Sequence, residues 1–150
     1  MITLHHQDGL AEYKVTRSQY GFIDNELYVE IEAVPKTDHH LSFLSDLSLE
    51  LNGIPVDESH IKDSSGTVLK LPRSVNEDDT SSTDRFTDLY LGEHYDVDEN
   101  TIQISAPGER EFHLEWKGIA PDARYYDEKA KPMKIEVRTQ IGSGLFPEQT

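Results

Sequence analysis

The chain has 150 residues and carries 14 Lys and Arg against 29 Asp and Glu, which gives a formal net charge of −15. This charge repels nucleic-acid phosphates and anionic lipid, so we expect neither as a partner. The sequence contains no cysteine, which excludes disulfide scaffolds, thiolate zinc sites and cysteine nucleophiles and fits a cytoplasmic protein. No apolar run approaches the roughly 18 residues of a membrane span, and no signal peptide is recognised. We expect one domain over residues 1–141 and a flexible tail over 142–150.

Alternation of apolar and polar residues predicts that most of the chain forms β-strands. Every second residue from Leu27 to Ala33 is apolar, and the same pattern runs through Glu111–Lys117 and Met133–Ile141. One apolar and one polar face on the same strand are typical of antiparallel sheets. In chain order, the predicted strands are Ile2–His6, Ala11–Thr16, Glu26–Val34, Leu47–Leu51, Ile54–Val56, Thr67–Leu71, Tyr95–Val97, Thr101–Ser105, Glu111–Lys117 and Met133–Ile141.

A tight hairpin is predicted at Asn52 and Gly53. Asn-Gly is the preferred pair for a type I′ turn, in which both central residues have positive φ. A two-residue turn there places Leu51 opposite Ile54, so that both point into the core. Pro55 would face outward without a backbone donor, which favours a sheet edge.

The segment near 83–91 allows two interpretations. Ser82-Thr83 could cap a short helix that ends at Gly92. The alternation of Thr87, Leu89 and Leu91 favours a strand instead. The sequence leaves both open.

Strand parity also predicts the later connections. A loop of odd length, about three or five residues around Pro107, would place Ile104 opposite Phe112. A loop of even length would let Tyr95 and Val97 pair with the strand that contains Ile104.

Together, these elements indicate an all-β fold, an antiparallel β-sandwich of about eight to ten short strands with at most one short helix near 83–91. Residues 91–104 contain a Gly and a Tyr-x-Val before a turn and an Ile-x-Ile strand. This stretch resembles a hairpin of many bacterial immunoglobulin-like domains. The resemblance implies an immunoglobulin-like sandwich and no activity. The strand pattern leaves a jelly-roll-like sandwich as the alternative.

The buried faces of these strands predict the core. Its members share the inward side of their strands and are Leu27, Val29, Ile31, Leu49, Leu51, Ile54, Ile102, Ile104, Phe112, Leu114, Trp116, Ile135 and Val137.

The distribution of charge suggests a function. Residues 110–138 carry seven bases and six acids, whereas the rest of the chain carries seven bases and 23 acids. An acidic surface can steer a basic partner and speed its association. We therefore expect a non-enzymatic binding module that recognises a basic protein, by analogy with small acidic inhibitors such as bacterial immunity proteins. The residues predicted to contact this partner are Glu26, Glu30, Glu32, Glu77, Asp78 and Asp79.

A calcium site is the first alternative. Calcium binds six to eight oxygen ligands, which clustered loop carboxylates can supply. The spacing of Asp96, Asp98 and Asn100 matches the first ligands of an EF-hand loop, but Thr101 stands where that loop needs Gly. We therefore consider a calcium site of another type, on the loops of a sandwich. The candidate ligands are Asp84, Asp88, Asp96 and Asp98.

Carbohydrate binding and hydrolysis are further alternatives. Tyr125 and Tyr126 lie in a long polar connection, where exposed rings could stack on sugars. A hydrolase would need two carboxylates about 5–9.5 Å apart, and the sequence nominates no such pair. No Gly-x-Ser-x-Gly motif indicates a serine nucleophile. We therefore expect binding rather than catalysis.

Overall fold

A computed structural model describes residues 1–6, 9–36, 46–56, 66–74, 86–91, 94–108, 111–120 and 132–141. It confirms the all-β, antiparallel prediction, and the described residues form no helix. The ten strands are β1 (Ile2–His6), β2 (Gly9–Ile23), β3 (Glu26–Pro35), β4 (Leu47–Pro55), β5 (Thr67–Leu71), β6 (Thr87–Tyr90), β7 (His94–Tyr95), β8 (Asp98–Gly108), β9 (Glu111–Ala120) and β10 (Met133–Ile141).

All ten strands belong to one sheet, in the order β5-β8-β9-β10-β1-β2-β3-β4-β6-β7, which curls into a half-barrel. The predicted two-sheet sandwich is not confirmed, because neighbouring strands are hydrogen-bonded throughout this order. Irregularities in the β2–β3, β3–β4 and β8–β9 pairings help the sheet to curl, since each β-bulge bends its strand and increases the local twist.

The inner face of the half-barrel holds the core. All thirteen residues predicted from alternation are buried, each at most 3% exposed, so this prediction is confirmed. Trp116, Tyr13 and Phe112 are the largest fully buried side chains. Tyr20 of β2 stacks on Phe112 of β9 with ring centroids 4.2 Å apart, which packs these two walls of the half-barrel against each other.

A tight hairpin lies at Asp24 and Asn25, and the chain makes none at Asn52 and Gly53. Asp24 and Asn25 have φ values of 52° and 61°, the positive pair that a type I′ turn requires. They join β2 to β3, with Ile23 opposite Glu26. Strand β2 continues up to this turn and is therefore longer than the predicted strand Ala11–Thr16.

The hairpin predicted at Asn52 and Gly53 is therefore wrong. Strand β4 continues through both residues and pairs with β3 along its length. Its register shifts between Leu27 opposite Ile54 and Tyr28 opposite Asn52, so Gly53, with φ of 69°, is the extra residue of a β-bulge. One extra residue keeps positions 51 and 54 on the same side, as a two-residue turn would.

Two later connections also differ from the predictions. Gly108 lies opposite Glu111, so the β8–β9 loop has two residues rather than three or five. Ile104 lies opposite Leu114 rather than Phe112. A two-residue loop alone would place it opposite Glu115, and the register shift of one residue between Ser105 and Gly108 brings the two apolar residues together. The buried side of both strands is nevertheless as predicted.

Tyr95 pairs with Leu89 of β6 and not with β8. The predicted pairing of Tyr95 and Val97 with the Ile104 strand is wrong, because β5 occupies that side of β8. Glu99 has φ of 51°, a left-handed conformation, and lies within the irregular start of β8.

Of the two interpretations of 83–91, the strand is correct over Thr87–Tyr90. Thr87 and Leu89 are fully buried and Leu91 is 6% exposed, as alternation requires. The proposed capping residues, Ser82 and Thr83, and the predicted tail at 142–150 lie outside the described residues.

Candidate functional site

Carboxylates from three neighbouring strands meet on the outer face of the sheet. Glu30 of β3 lies opposite Glu50 of β4, and Glu50 lies opposite Asp88 of β6. Adjacent strands are about 4.8 Å apart, so this row of three acids spans roughly 10 Å. Their neighbours along each strand are core residues, which directs the three carboxylates to the outside. Like charges placed opposite one another on a sheet repel.

Two further carboxylates of β3 extend this row. Glu26 and Glu32 share the outward side of β3 with Glu30, at intervals of about 7 Å per two residues. We call this surface the acidic face; its members are Glu26, Glu30, Glu32, Glu50 and Asp88. The predicted contacts Glu26, Glu30 and Glu32 thus lie on one surface.

Neutral groups bind several of these carboxylates and leave their charge in place. Tyr28 donates its hydroxyl to Glu26 Oε2 at 3.2 Å, and the Gln19 amide donates to Glu30 Oε2 at 3.0 Å. Arg17 Nη1 is 4.0 Å from Glu32 Oε1, and both side chains are about half exposed, so this ion pair is weak. The partners of Glu26 and Glu30 in these contacts are therefore neutral and do not cancel their negative charge.

His94 and Tyr90 lie at one end of the acidic face. His94 Nδ1 is 2.7 Å from Asp88 Oδ2, and the histidine side chain is 72% exposed. The Tyr90 ring is tilted against His94, with centroids 4.8 Å apart, and Tyr90 is 42% exposed. An exposed aromatic ring beside carboxylates suits a guanidinium group, which combines ion pairing with stacking.

The outer face of β9 and β10 has the opposite arrangement. There, Glu115 lies opposite Arg138, and Lys117 lies opposite Glu136. Arg138 Nε approaches Glu115 Oε1 to 3.2 Å. Opposite charges thus alternate on this part of the sheet, whereas β3, β4 and β6 align like charges.

Two predicted calcium ligands already have partners within the protein. Asp98 Oδ1 accepts a hydrogen bond of 2.7 Å from the backbone N–H of Ser74, and Asp88 contacts His94. Among the described residues, no three His, Asp or Glu side chains are placed to hold a metal ion. The calcium site stays a prediction.

A buried group of polar side chains, which we call the polar seam, connects opposite ends of the strand order. Its members are Ser74, Thr87 and Asn100, each at most 2% exposed. Ser74 follows edge strand β5, yet its hydroxyl donates to the carbonyl of Thr87 in β6 at 2.8 Å. Thr87 Oγ1 lies 2.9 Å from Ser74 Oγ and 2.8 Å from the carbonyl oxygen of Val97.

Asn100 connects the seam to the core. Its amide donates to the carbonyls of Leu71 and Val97, at 3.1 and 2.7 Å, and its oxygen accepts from Trp116 Nε1 at 2.7 Å. Gly118 makes room for this contact, because a Cβ there would lie 2.7 Å from Asn100 Oδ1. The polar groups of the seam therefore form hydrogen bonds within the protein that link the two ends of the strand order.

An open cleft of about 610 Å³ lies beside the seam. Arg73, Asp98 and Glu99 line it together with apolar residues such as Ile119. Arg73 and Glu99 are exposed, and Asp98 is engaged with Ser74. None of the residues that line the cleft belongs to the acidic face, so the cleft and the acidic face are separate surfaces.

Several predicted site residues lie outside the described part of the chain. These are the partner contacts Glu77, Asp78 and Asp79, the calcium ligand Asp84, and the sugar-binding candidates Tyr125 and Tyr126. In contrast, Glu50 and Tyr90 are described but were not predicted. Their outward positions follow from alternation, but their proximity to Glu30 and Asp88 depends on which strands are neighbours.

Comparisons with known proteins do not assign the chain to a family. No protein-family model matches it, and neither the curated proteins nor the solved structures include a match. Within the described ranges, there is no helix long and apolar enough to cross a membrane.

Proposed function

We propose that this protein is a non-enzymatic binding module whose acidic face docks on a basic surface of a partner protein. The observation that supports this proposal is the alignment of Glu30, Glu50 and Asp88 across three strands. Aligned like charges cost stability, so a protein without a use for them gains by alternating the signs, as β9 and β10 do.

The chemistry of the acidic face favours arginine-rich partners. Each exposed ion pair contributes little, about 0.2–1 kcal/mol, so specific binding needs several of them together. The four glutamates of the acidic face can form several such pairs, whereas Asp88 already contacts His94. Tyr90, which is 42% exposed, offers a ring to a guanidinium group. Long-range attraction would also speed association at low salt. We place this interaction in the cytoplasm.

A labelled oligoarginine peptide tests whether the acidic face binds cations as a unit. We expect the double variant Glu30→Gln and Glu50→Gln to weaken binding about tenfold, since it removes two charge pairs worth roughly 0.7 kcal/mol each. The matched control, Glu115→Gln with Glu136→Gln, removes the same number of charges from the β9–β10 surface. Binding weakened equally by both double variants would contradict the proposal, because net charge alone would then explain it.

A pull-down with the intact protein tests the partner directly. Captured basic proteins should be lost when Glu30 and Glu32 are reversed to Lys, and retained by the control variant. Partners that bind the reversed protein undiminished would exclude the acidic face as the docking surface.

A further inference from the structure

We propose that the acidic face holds one arginine side chain of its partner in a notch above Ser48, and that this notch distinguishes arginine from lysine. We call it the serine notch; its floor is Ser48, and Tyr90 and three glutamates surround it. The inference rests on the proposed function, because it names the side chain that the acidic face recognises. It attributes selectivity to the shape of the notch and not to negative charge alone.

Ser48 is the floor of the notch. Its neighbours in β4, Leu47 and Leu49, are buried, so the serine side chain points outward. Ser48 lies opposite Glu32 of β3 on one side and opposite Tyr90 of β6 on the other. Both of these side chains are much longer than that of serine. The outer surface therefore has a dip between them, one strand wide.

Tyr90 forms the aromatic wall of the notch. Its neighbour Leu89 is fully buried, so the exposed phenol ring lies on the outer side of the sheet. On the side away from β4, the ring contacts His94, which lies opposite Tyr90 in β7, with centroids 4.8 Å apart. This distance matches the spacing of about 4.8 Å between neighbouring strands, so each ring stands above its own strand. Toward β4, the residue opposite is the short Ser48, which leaves room beside the ring.

Three carboxylates reach the notch from its other sides. Glu32 lies directly opposite Ser48, and Glu50 is two residues further along β4. Glu30 lies opposite Glu50 and is therefore diagonal to the serine. Cβ atoms in these positions are about 5–8 Å apart, so all three carboxylates can contact one cation above Ser48. The contact of Glu32 with Arg17, at 4.0 Å between exposed side chains, is too weak to prevent this.

A guanidinium group fits this arrangement better than an ammonium group. Planar groups in contact are about 3.5–4 Å apart, so a guanidinium stacked on the Tyr90 ring lies above Ser48, which is one strand spacing away. Its N–H groups then point along its plane, where carboxylates can accept them in pairs. The ammonium of lysine is a compact and strongly hydrated charge, so it gains less from a flat ring. Stacking and paired hydrogen bonds together therefore favour arginine.

Filling the notch without changing any charge tests the proposal. We expect Ser48→Leu to weaken the binding of a labelled oligoarginine about threefold and to leave an oligolysine of the same length unaffected, because the leucine occupies the place of one stacked guanidinium group. Tyr90→Leu, which removes the ring, should have the same effect. The matched control is Thr101→Leu, which adds the same side chain at an exposed position of β8 and should alter neither affinity.

The outcomes separate this inference from the proposed function. If Ser48→Leu and Tyr90→Leu change both affinities equally, or change neither, the notch is overturned, whereas weaker binding by the Glu30→Gln and Glu50→Gln double variant would still support docking on the acidic face. If the double variant binds both peptides as well as the native protein does, the proposed function fails and the notch fails with it. If Ser48→Leu does not fold, Tyr90→Leu, at an exposed position, decides the question alone.

Discussion

Neutralising Glu50 should stabilise the protein. Glu50 lies between Glu30 and Asp88, so Glu50→Gln removes two unfavourable cross-strand pairs while keeping the size of the side chain and one of its two oxygens. Cross-strand pairs contribute roughly 0.2–1 kcal/mol each, so the gain in the free energy of unfolding should be about 1 kcal/mol. For a chain of this length, that corresponds to an increase of about 2–4 °C in the melting temperature.

Thermal unfolding followed by circular dichroism measures this change at low and at high salt. The gain should shrink at about 1 M salt, where the screening length falls to about 3 Å. The control is Glu115→Gln, which loses a favourable contact with Arg138 and should not stabilise. A Glu50→Gln variant that melts at or below the native temperature, or whose gain is independent of salt, would refute the reasoning.

Three further predictions concern the turn, the bulge and the buried phenol. Gly53→Ala should lower the free energy of unfolding by about 1 kcal/mol in urea titrations, because Gly53 has φ of 69° and the new Cβ would lie 3.2 Å from Glu26 Oε2. An unchanged unfolding midpoint would show that the bulge does not need glycine at this position. Asn25→Gly should be neutral or stabilise by up to about 1 kcal/mol, since φ is positive there; clear destabilisation would contradict a type I′ turn. Burial, aided by the charge of Asp46, raises the pKa of Tyr13, so stability should fall as pH rises above about 10, where the unfolded phenol ionises first. Tyr13→Phe should show a smaller loss than the native protein in the same alkaline titration, and an identical loss would exclude this cause.

Much of the architecture could be predicted from local pattern. The buried and exposed sides of the strands follow from alternation, because successive side chains on a strand point to opposite faces whatever the strand pairs with. For this reason, Ile31, Trp116 and Val137 are buried as expected. The outward direction of Glu26, Glu30 and Glu32 follows from the same rule.

Pairing could not be predicted in this way. Leu51 and Ile54 point to the same side of the sheet whether the two residues between them form a tight turn or contain a one-residue bulge. The alternation of apolar and polar residues therefore does not distinguish the turn from the bulge. The structure selects the bulge because β4 continues along β3. A tight hairpin forms instead at Asp24 and Asn25, where both residues adopt positive φ.

The candidate site shows the same division. Three outward glutamates of β3 were recognisable in the sequence, since they lie on a single strand. Glu50 and Asp88 join them only because β3, β4 and β6 are neighbours in the sheet, although these residues lie 20 and 58 positions from Glu30 in the chain. Alternation acts within one strand and so decides which side of it is buried. Which strands lie beside it depends on contacts between residues that are distant in the chain, and these contacts form only when the whole sheet packs around its core.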